Sequence, residues 1–181
     1  LGDNFLHEEP YSTTLQQMGI EVLYGDDYAA GIWDWLKTNG DEINYAYLNR
    51  PHIAAKYVDY IKDYSKMKVI YYGHDLHFLR LGREYELTGD IHIKREADYW
   101  KSVELTMMHK AAVSYYPSYV EINAIHAIDG SIHAKAITAY VYDTFLSNIQ
   151  DDFAKREGLL FVGGFAHPPN ADAVLWFAKE I

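Results

Sequence analysis

KVIYYGHDLHFLRLGREYE (residues 68–86) is the stretch whose reading decides the fold. Residues 67–72 (MKVIYY) lack polar alternation, as a strand buried on both faces of a sheet does. Gly73, His74 and Asp75 follow as a turn, and residues 76–87 then carry helical spacing. Strand, turn and helix in this order form the unit that places ligand chemistry at the carboxyl ends of strands. The same order recurs in GLLFVGGFAHPPNADAVLWFAKEI (residues 158–181), with Gly163-Gly164 as the turn and prolines at the helix entrance. The separation of the two stretches assigns them to different sheets.

Outward from residues 68–86, the rhythm repeats. Residues 9–18 read as a helix with Pro10 near its start and Gly19 as its stop, and 20–24 as a short strand. Residues 26–39 hold an amphipathic segment with Trp33, Trp35 and Leu36. A strand at 43–48 precedes a helix at 51–64, whose apolar stripe runs through Ile53, Ala54, Tyr57, Val58 and Ile61. After Gly89-Asp90 a long helix spans 93–110. A strand at 111–116, a helix at 118–128 with Ser118 as cap and Glu121 three residues on, and a strand at 134–141 complete the series. Alternating strands and helices predict an α/β fold, a Rossmann-like parallel sheet with helices on both faces. Residues 142–157 are polar and acidic and read as a connector. A strand at 159–162 and a helix at 168–181, with core stripe Ala173, Val174, Phe177 and Ala178, then open a second domain. The expected division is 1–141, 142–157 and 158–181.

Composition narrows the function classes. A chain of 181 residues has material for one domain with a real core and little for a second. Hydrophobic content of 49% and charged content of 23% belong to an ordinary globular chain. A formal net charge of −10 opposes nucleic-acid binding through phosphates, although backbone N–H groups at a helix N-terminus can hold a phosphate within an acidic protein. With no cysteine, disulfides, thiolate metal sites and a cysteine nucleophile are excluded. No apolar run reaches the ~18–20 residues of a membrane span, and the N-terminus lacks the layout of a signal peptide, so a cytoplasmic protein is expected. Leu1 is not an initiator Met and Ile181 falls within a helical pattern, so both ends are read as cut. Seventeen tyrosines against seven phenylalanines is a marked bias. Tyr buries a ring while wetting its hydroxyl, which serves boundary packing and also sugar-facing clefts.

Candidate chemistry gathers at the two turns. His74 at a sheet edge can hydrogen-bond a substrate hydroxyl, and Asp75 can hold its tautomer or accept a second hydroxyl. A His-Asp pair after a strand also occurs in plain turns. His74, Asp75 and His77 form an alternative metal set, since positions three apart share a helix face. Arg80 and Glu84 fit a surface i,i+4 pair, or Arg80 faces the cleft and contacts an anion. Gly163-Gly164 permits close backbone approach to a phosphate but matches neither the dinucleotide fingerprint nor the P-loop. His167 and Asn170 sit at the following helix entrance, where Asn170 reads as a cap. No Gly-x-Ser-x-Gly elbow is present, which argues against an α/β-hydrolase.

Together the motifs resemble those of group 1 (family 4) glycosyltransferases. LFVGGFAHPPNADAVLWFAKEI (160–181) resembles the opening of that family's second domain, a strand ending in a glycine pair before "PN.DA..WF..EI". VIYYGHDLHFLRLGREYEL (69–87) resembles the central motif of its first domain, AAVSYYPSYVEINAI (111–125) the entrance to that domain's last helix, and EPYSTTLQQMGIEVLYGDD (9–27) its early helix and second strand. The resemblance implies one half of a GT-B architecture: an acceptor-side domain, followed by the start of a donor-binding one. It implies transfer of a sugar from a nucleotide-sugar donor to a glycan or lipid-linked acceptor hydroxyl with retention, in polysaccharide biosynthesis, without metal or other cofactor. On this basis His74 and Asp75 are the expected catalytic residues, Gly163 and Gly164 the donor-binding ones, and Asn4 and Arg80 the acceptor-binding ones. Lipid-linked acceptors imply peripheral membrane association of the parent enzyme. The family's Gly-rich acceptor loop would precede Leu1, and most of its donor domain would follow Ile181, so the piece alone is expected to be inactive. The rival expectation is a non-catalytic α/β module that binds carbohydrate or protein.

Overall fold

The sheet that carries the His74 turn has four parallel strands, β1 (Tyr45–Asn49), β2 (Lys68–Tyr72), β3 (Val113–Tyr116) and β4 (Ala134–Ala136), side by side in chain order. They belong to a computed structural model that describes residues 2–138, 142–144 and 153–181. The chain divides into two units, Leu1–Val141 and Tyr142–Ile181. Parallel neighbours cannot be joined by a hairpin, so each connection is helical. Helix α3 (Pro51–Tyr64) links β1 to β2, α4 (His77–Thr88) and α5 (Ile91–Lys110) link β2 to β3, and α6 (Tyr119–Ile128) links β3 to β4. Two helices, α1 (Tyr11–Gln17) and α2 (Asp26–Asn39), come before the sheet. The first unit is thus an α/β fold with a parallel sheet flanked by helices, in the manner of a Rossmann-like half-domain.

Local chemistry explains the helix limits. Pro51 starts α3, where its fixed φ suits the first turn, and Ala54, Tyr57, Val58 and Ile61 bury the predicted stripe. Asp90 caps α5 by accepting the His92 N–H at 2.8 Å. Ser118 caps α6 by accepting the Val120 N–H at 3.2 Å, and its hydroxyl donates to the Glu121 carboxylate three residues on.

Strand register separates the two faces of the sheet. Ala46, Leu48, Val69, Tyr71, Ser114, Tyr116, Ala134 and Ala136 share one face by their pairing. Tyr71 and Tyr116 there are fully buried, and Ile122 and Ile125 of α6 with Met107 and Met108 of α5 join them in the core. Tyr45, Tyr47, Ile70, Tyr72, Val113 and Tyr115 share the other face. Tyr45 and Tyr47 are exposed there while Ile70, Val113 and Tyr115 are half-buried, so β2 is not dry on both sides as its composition predicts.

Several expected elements differ. Residues 20–24 form no strand: Leu23 is buried, but Ile20 donates its N–H back to the Leu15 carbonyl at 3.1 Å, Gly25 donates to the Phe5 carbonyl at 2.8 Å, and neither bond belongs to a strand ladder. The last strand of the series is short, Ala134–Ala136, and residues 139–141 of its predicted span lie outside the described ones. In the second unit, residues 159–162 are not a strand, and no strand is present among that unit's described residues for them to pair with. Leu159, Leu160 and Val162 are consequently exposed. Helix α7 (Pro168–Glu180) forms as predicted, yet of its expected core stripe Ala173, Phe177 and Ala178 are exposed and Val174 is half-buried. Of the expected connector, residues 145–152 lie outside the described ones, and Phe153–Lys155 make one 3-10 turn.

Candidate functional site

At the carboxyl end of β2 the backbone is forced into unusual shapes. Gly73 donates its N–H to the Tyr115 carbonyl at 3.1 Å, and Asp75 N–H returns to the Gly73 carbonyl at 2.9 Å. A Cβ on Gly73 would stand 2.3 Å from the Tyr116 ring, so only glycine lets the turn lie on that buried tyrosine. His74 follows at φ 65. On the neighbouring strand end Arg50 sits at φ 66, donates its N–H to the Tyr72 carbonyl at 3.1 Å and precedes α3. A left-handed backbone costs an L-residue about 1–2 kcal/mol, so adjacent strand ends hold two strained side chains where open α/β sheets bind ligands.

His74 packs edge-on against Tyr72, ring centroids 4.6 Å apart. Partial burial, then the Arg50 guanidinium, push its imidazole below the ordinary histidine range, and Asp75 opposes them. The ring is therefore neutral at pH 7, with one nitrogen to donate and one to accept. Asp75 meets Arg80 Nε at 3.4 Å in an exposed ion pair, and His77 Nδ1 lies 3.9 Å from it. Arg80 thus pairs with Asp75 rather than with Glu84.

Beneath this turn is a residue that the sequence reading missed. Glu104 of α5 is fully buried and accepts the N–H groups of His77 and Phe78 at 3.0 and 3.2 Å, capping α4 from another helix. Its Oε1 also lies 3.0 Å from His77 Nδ1, and the His77 ring packs on Trp100 at 4.9 Å. Burial pushes the Glu104 carboxyl above the ordinary glutamate range, against the two backbone donors and the His77 ring that hold it down. Its signal was present: Glu104 stands seven after Ala97 and three and four before Met107 and Met108, on the buried stripe of α5. On the buried sheet face the Ser114 hydroxyl has no hydrogen-bond partner among the described residues, and burial, with the Glu104 charge nearby, drives the Tyr71 and Tyr116 hydroxyls far above the usual phenol range.

Of the predicted site residues, His74, Asp75 and Arg80 come together here. Asn4 lies in the N-terminal turn, donating to Glu8 Oε1 at 3.0 Å and accepting the Leu6 N–H at 3.2 Å, and shares no hydrogen bond with the His74 turn. Gly163 and Gly164 belong to the second unit. A Cβ on Gly163 would stand 2.8 Å from Asn170 Nδ2, which donates to the Gly164 carbonyl at 3.0 Å. Asn170 therefore ties the glycine turn to α7 instead of capping the helix, whose cap position is His167. The metal alternative loses His77 to Glu104, and no cluster of three metal-ligating side chains occurs among the described residues. No described helix is long and apolar enough to cross a membrane.

Compared with protein-family models, curated proteins and solved structures, the chain matches none. The site itself presents a neutral imidazole on a strained strand end, backed by an acidic residue and an arginine.

Proposed function

We propose that Leu1–Val141 is the acceptor-side domain of a two-domain glycosyltransferase and that residues 158–181 open its donor-binding domain. The neutral His74 held at φ 65 on the carboxyl end of β2 carries this reading. A sugar passes from a nucleotide-sugar donor to a hydroxyl of a glycan or lipid-linked acceptor, with retention. The bond from the anomeric carbon to the diphosphate breaks, a bond to the acceptor oxygen forms, and the acceptor's hydroxyl proton leaves with the diphosphate. His74 hydrogen-bonds a hydroxyl of the reacting sugar, Asp75 with Arg80 fixes the turn, and the Gly163-Gly164 amides face the donor phosphates. Positioning and stabilisation of the leaving diphosphate supply the rate, since hydrogen bonds placed where charge develops are the largest lever of such a site. The exposed tyrosines on the open sheet face favour, as second reading, a non-catalytic carbohydrate-binding module.

Nucleotide diphosphate release by the full-length protein over a panel of nucleotide sugars tests the proposal, with His74→Ala alongside. Release from one donor, abolished in the variant while donor affinity persists, is expected. No release and no donor binding by a folded protein would leave the binding module.

A further inference from the structure

The open face of the sheet has a concavity of about 500 Å³ beside His74, within the size range of small-ligand sites. Tyr47, Ile70, Tyr72, His74, Tyr115 and Thr138 line it. The aromatic rings come from three adjacent strands in register, Tyr72 lying directly across from Tyr115, and Tyr47 stacks loosely with Tyr72 at 6.4 Å and 26°. Tyr47 is 60% exposed and presents its ring to anything that enters. Tyr72 is only 7% exposed, and its hydroxyl has no hydrogen-bond partner among the described residues. Among the described residues, no carboxylate, lysine or arginine lines the concavity.

We infer that this face is a subsite for a neutral hexopyranose. A pyranose ring offers C–H groups on its faces and hydroxyls around its rim. Flat aromatic walls bearing phenolic hydroxyls match both, stacking on the faces and hydrogen-bonding the rim. The exposed Tyr47 hydroxyl, His74 and Thr138 provide the polar contacts. A phosphorylated or carboxylated sugar finds no counter-charge among the lining residues, which sets the class as neutral. The inference rests on the transferase reading, for which it names the acceptor's bound residue, and it places that residue on the sheet face next to the strand-end turn.

Saturation-transfer NMR on the full-length protein with methyl α-D-glucopyranoside, methyl α-D-mannopyranoside and methyl α-D-galactopyranoside tests it, with uridine as a planar competitor. At least one glycoside should receive saturation at its ring C–H protons. Tyr47→Ala and Tyr115→Ala should raise its Kd by about tenfold, the scale of one lost stacking contact. Tyr47→Phe should retain the stacking, and Tyr64→Ala on α3 should change nothing. Glycoside binding that ignores Tyr47→Ala and Tyr115→Ala, or binding of uridine alone, overturns the subsite even when donor turnover depends on His74. Glycoside binding lost in both tyrosine variants, with no diphosphate release from any donor, upholds the subsite and removes the transferase reading.

Discussion

Replacing Glu104 by alanine takes away the acceptor for two N-terminal N–H groups of α4 and the partner of His77. Hydrogen bonds to a charged group contribute about 1.5–3 kcal/mol each, so the gross loss from the two backbone bonds is about 5 kcal/mol. Removing a buried carboxylate also removes its desolvation cost, which offsets part of that loss. His77 is partly exposed, so water can replace its lost partner. The net destabilisation expected is about 3 kcal/mol, the lower end for breaking a buried pair, or roughly 10 °C in Tm for a unit of this size. Glu104→Gln keeps one acceptor oxygen but turns an amide N–H₂ toward a backbone donor, and should cost about 1–2 kcal/mol. Urea unfolding followed by circular dichroism on wild type and both variants gives these numbers, provided the m-values agree. The glutamine variant should also change the pH dependence. The raised folded-state pKa of Glu104 contributes stability below its ordinary value of about 4.5 that is lost as pH rises through the folded value, and Gln removes that slope. An alanine variant that unfolds within about 0.5 kcal/mol of wild type would refute the capping role.

Gly73→Ala drives a methyl into the immobile Tyr116 ring and should destabilise by about 3 kcal/mol or prevent soluble expression, whereas Gly82→Ala on α4, where a Cβ meets nothing within 4 Å, should be neutral or slightly stabilising; thermal melts compare them. An NMR titration of His74 should give a midpoint below the ordinary histidine value of about 6.5, and Arg50→Ala should move it upward by removing the second cause of the depression. Because the unfolded state then binds more protons, this group's stabilisation is complete above pH ~6.5 and is lost as pH falls through the folded-state midpoint. A wild-type midpoint at or above 6.5 would contradict the neutral imidazole.

What the sequence made legible is what short-range chemistry decides. Pro51 starts α3, Ser118 with Glu121 starts α6, and the stripe at Ala54, Tyr57, Val58 and Ile61 sets which side of α3 is buried, all within a few residues. Residues 20–24 and 159–162 have strand composition, but a strand is a relation between segments, and neither has a partner ladder among the described residues. The open sheet face escaped for a similar reason: tyrosine suits a buried pleat and a wet one alike, and only the pairing of Tyr47 with Ile70 and Tyr72 with Tyr115 tells which side they occupy. His74 and Asp75 were legible because a Gly-His-Asp turn after an apolar strand is local. The place of Glu104 on the buried stripe of α5 was equally local, but its partners were not legible, since its bonds to His77 and Phe78 span 27 and 26 residues and exist only because α4 packs on α5.

Two features near this end of the sheet oppose stability: the left-handed backbone at Arg50 and His74, and the buried Tyr72 and Ser114 hydroxyls, which have no hydrogen-bond partner among the described residues. Nothing in the packing of the sheet requires histidine at φ 65, because glycine would hold that turn with less strain. His74→Gly should therefore raise stability by about 0.5–1 kcal/mol, measured by the same urea series, while abolishing whatever the site does. A strained residue retained solely for packing would behave in the opposite way: its removal would loosen the Tyr72 contact and lower the unfolding midpoint, and the strand end would then be architecture rather than a site.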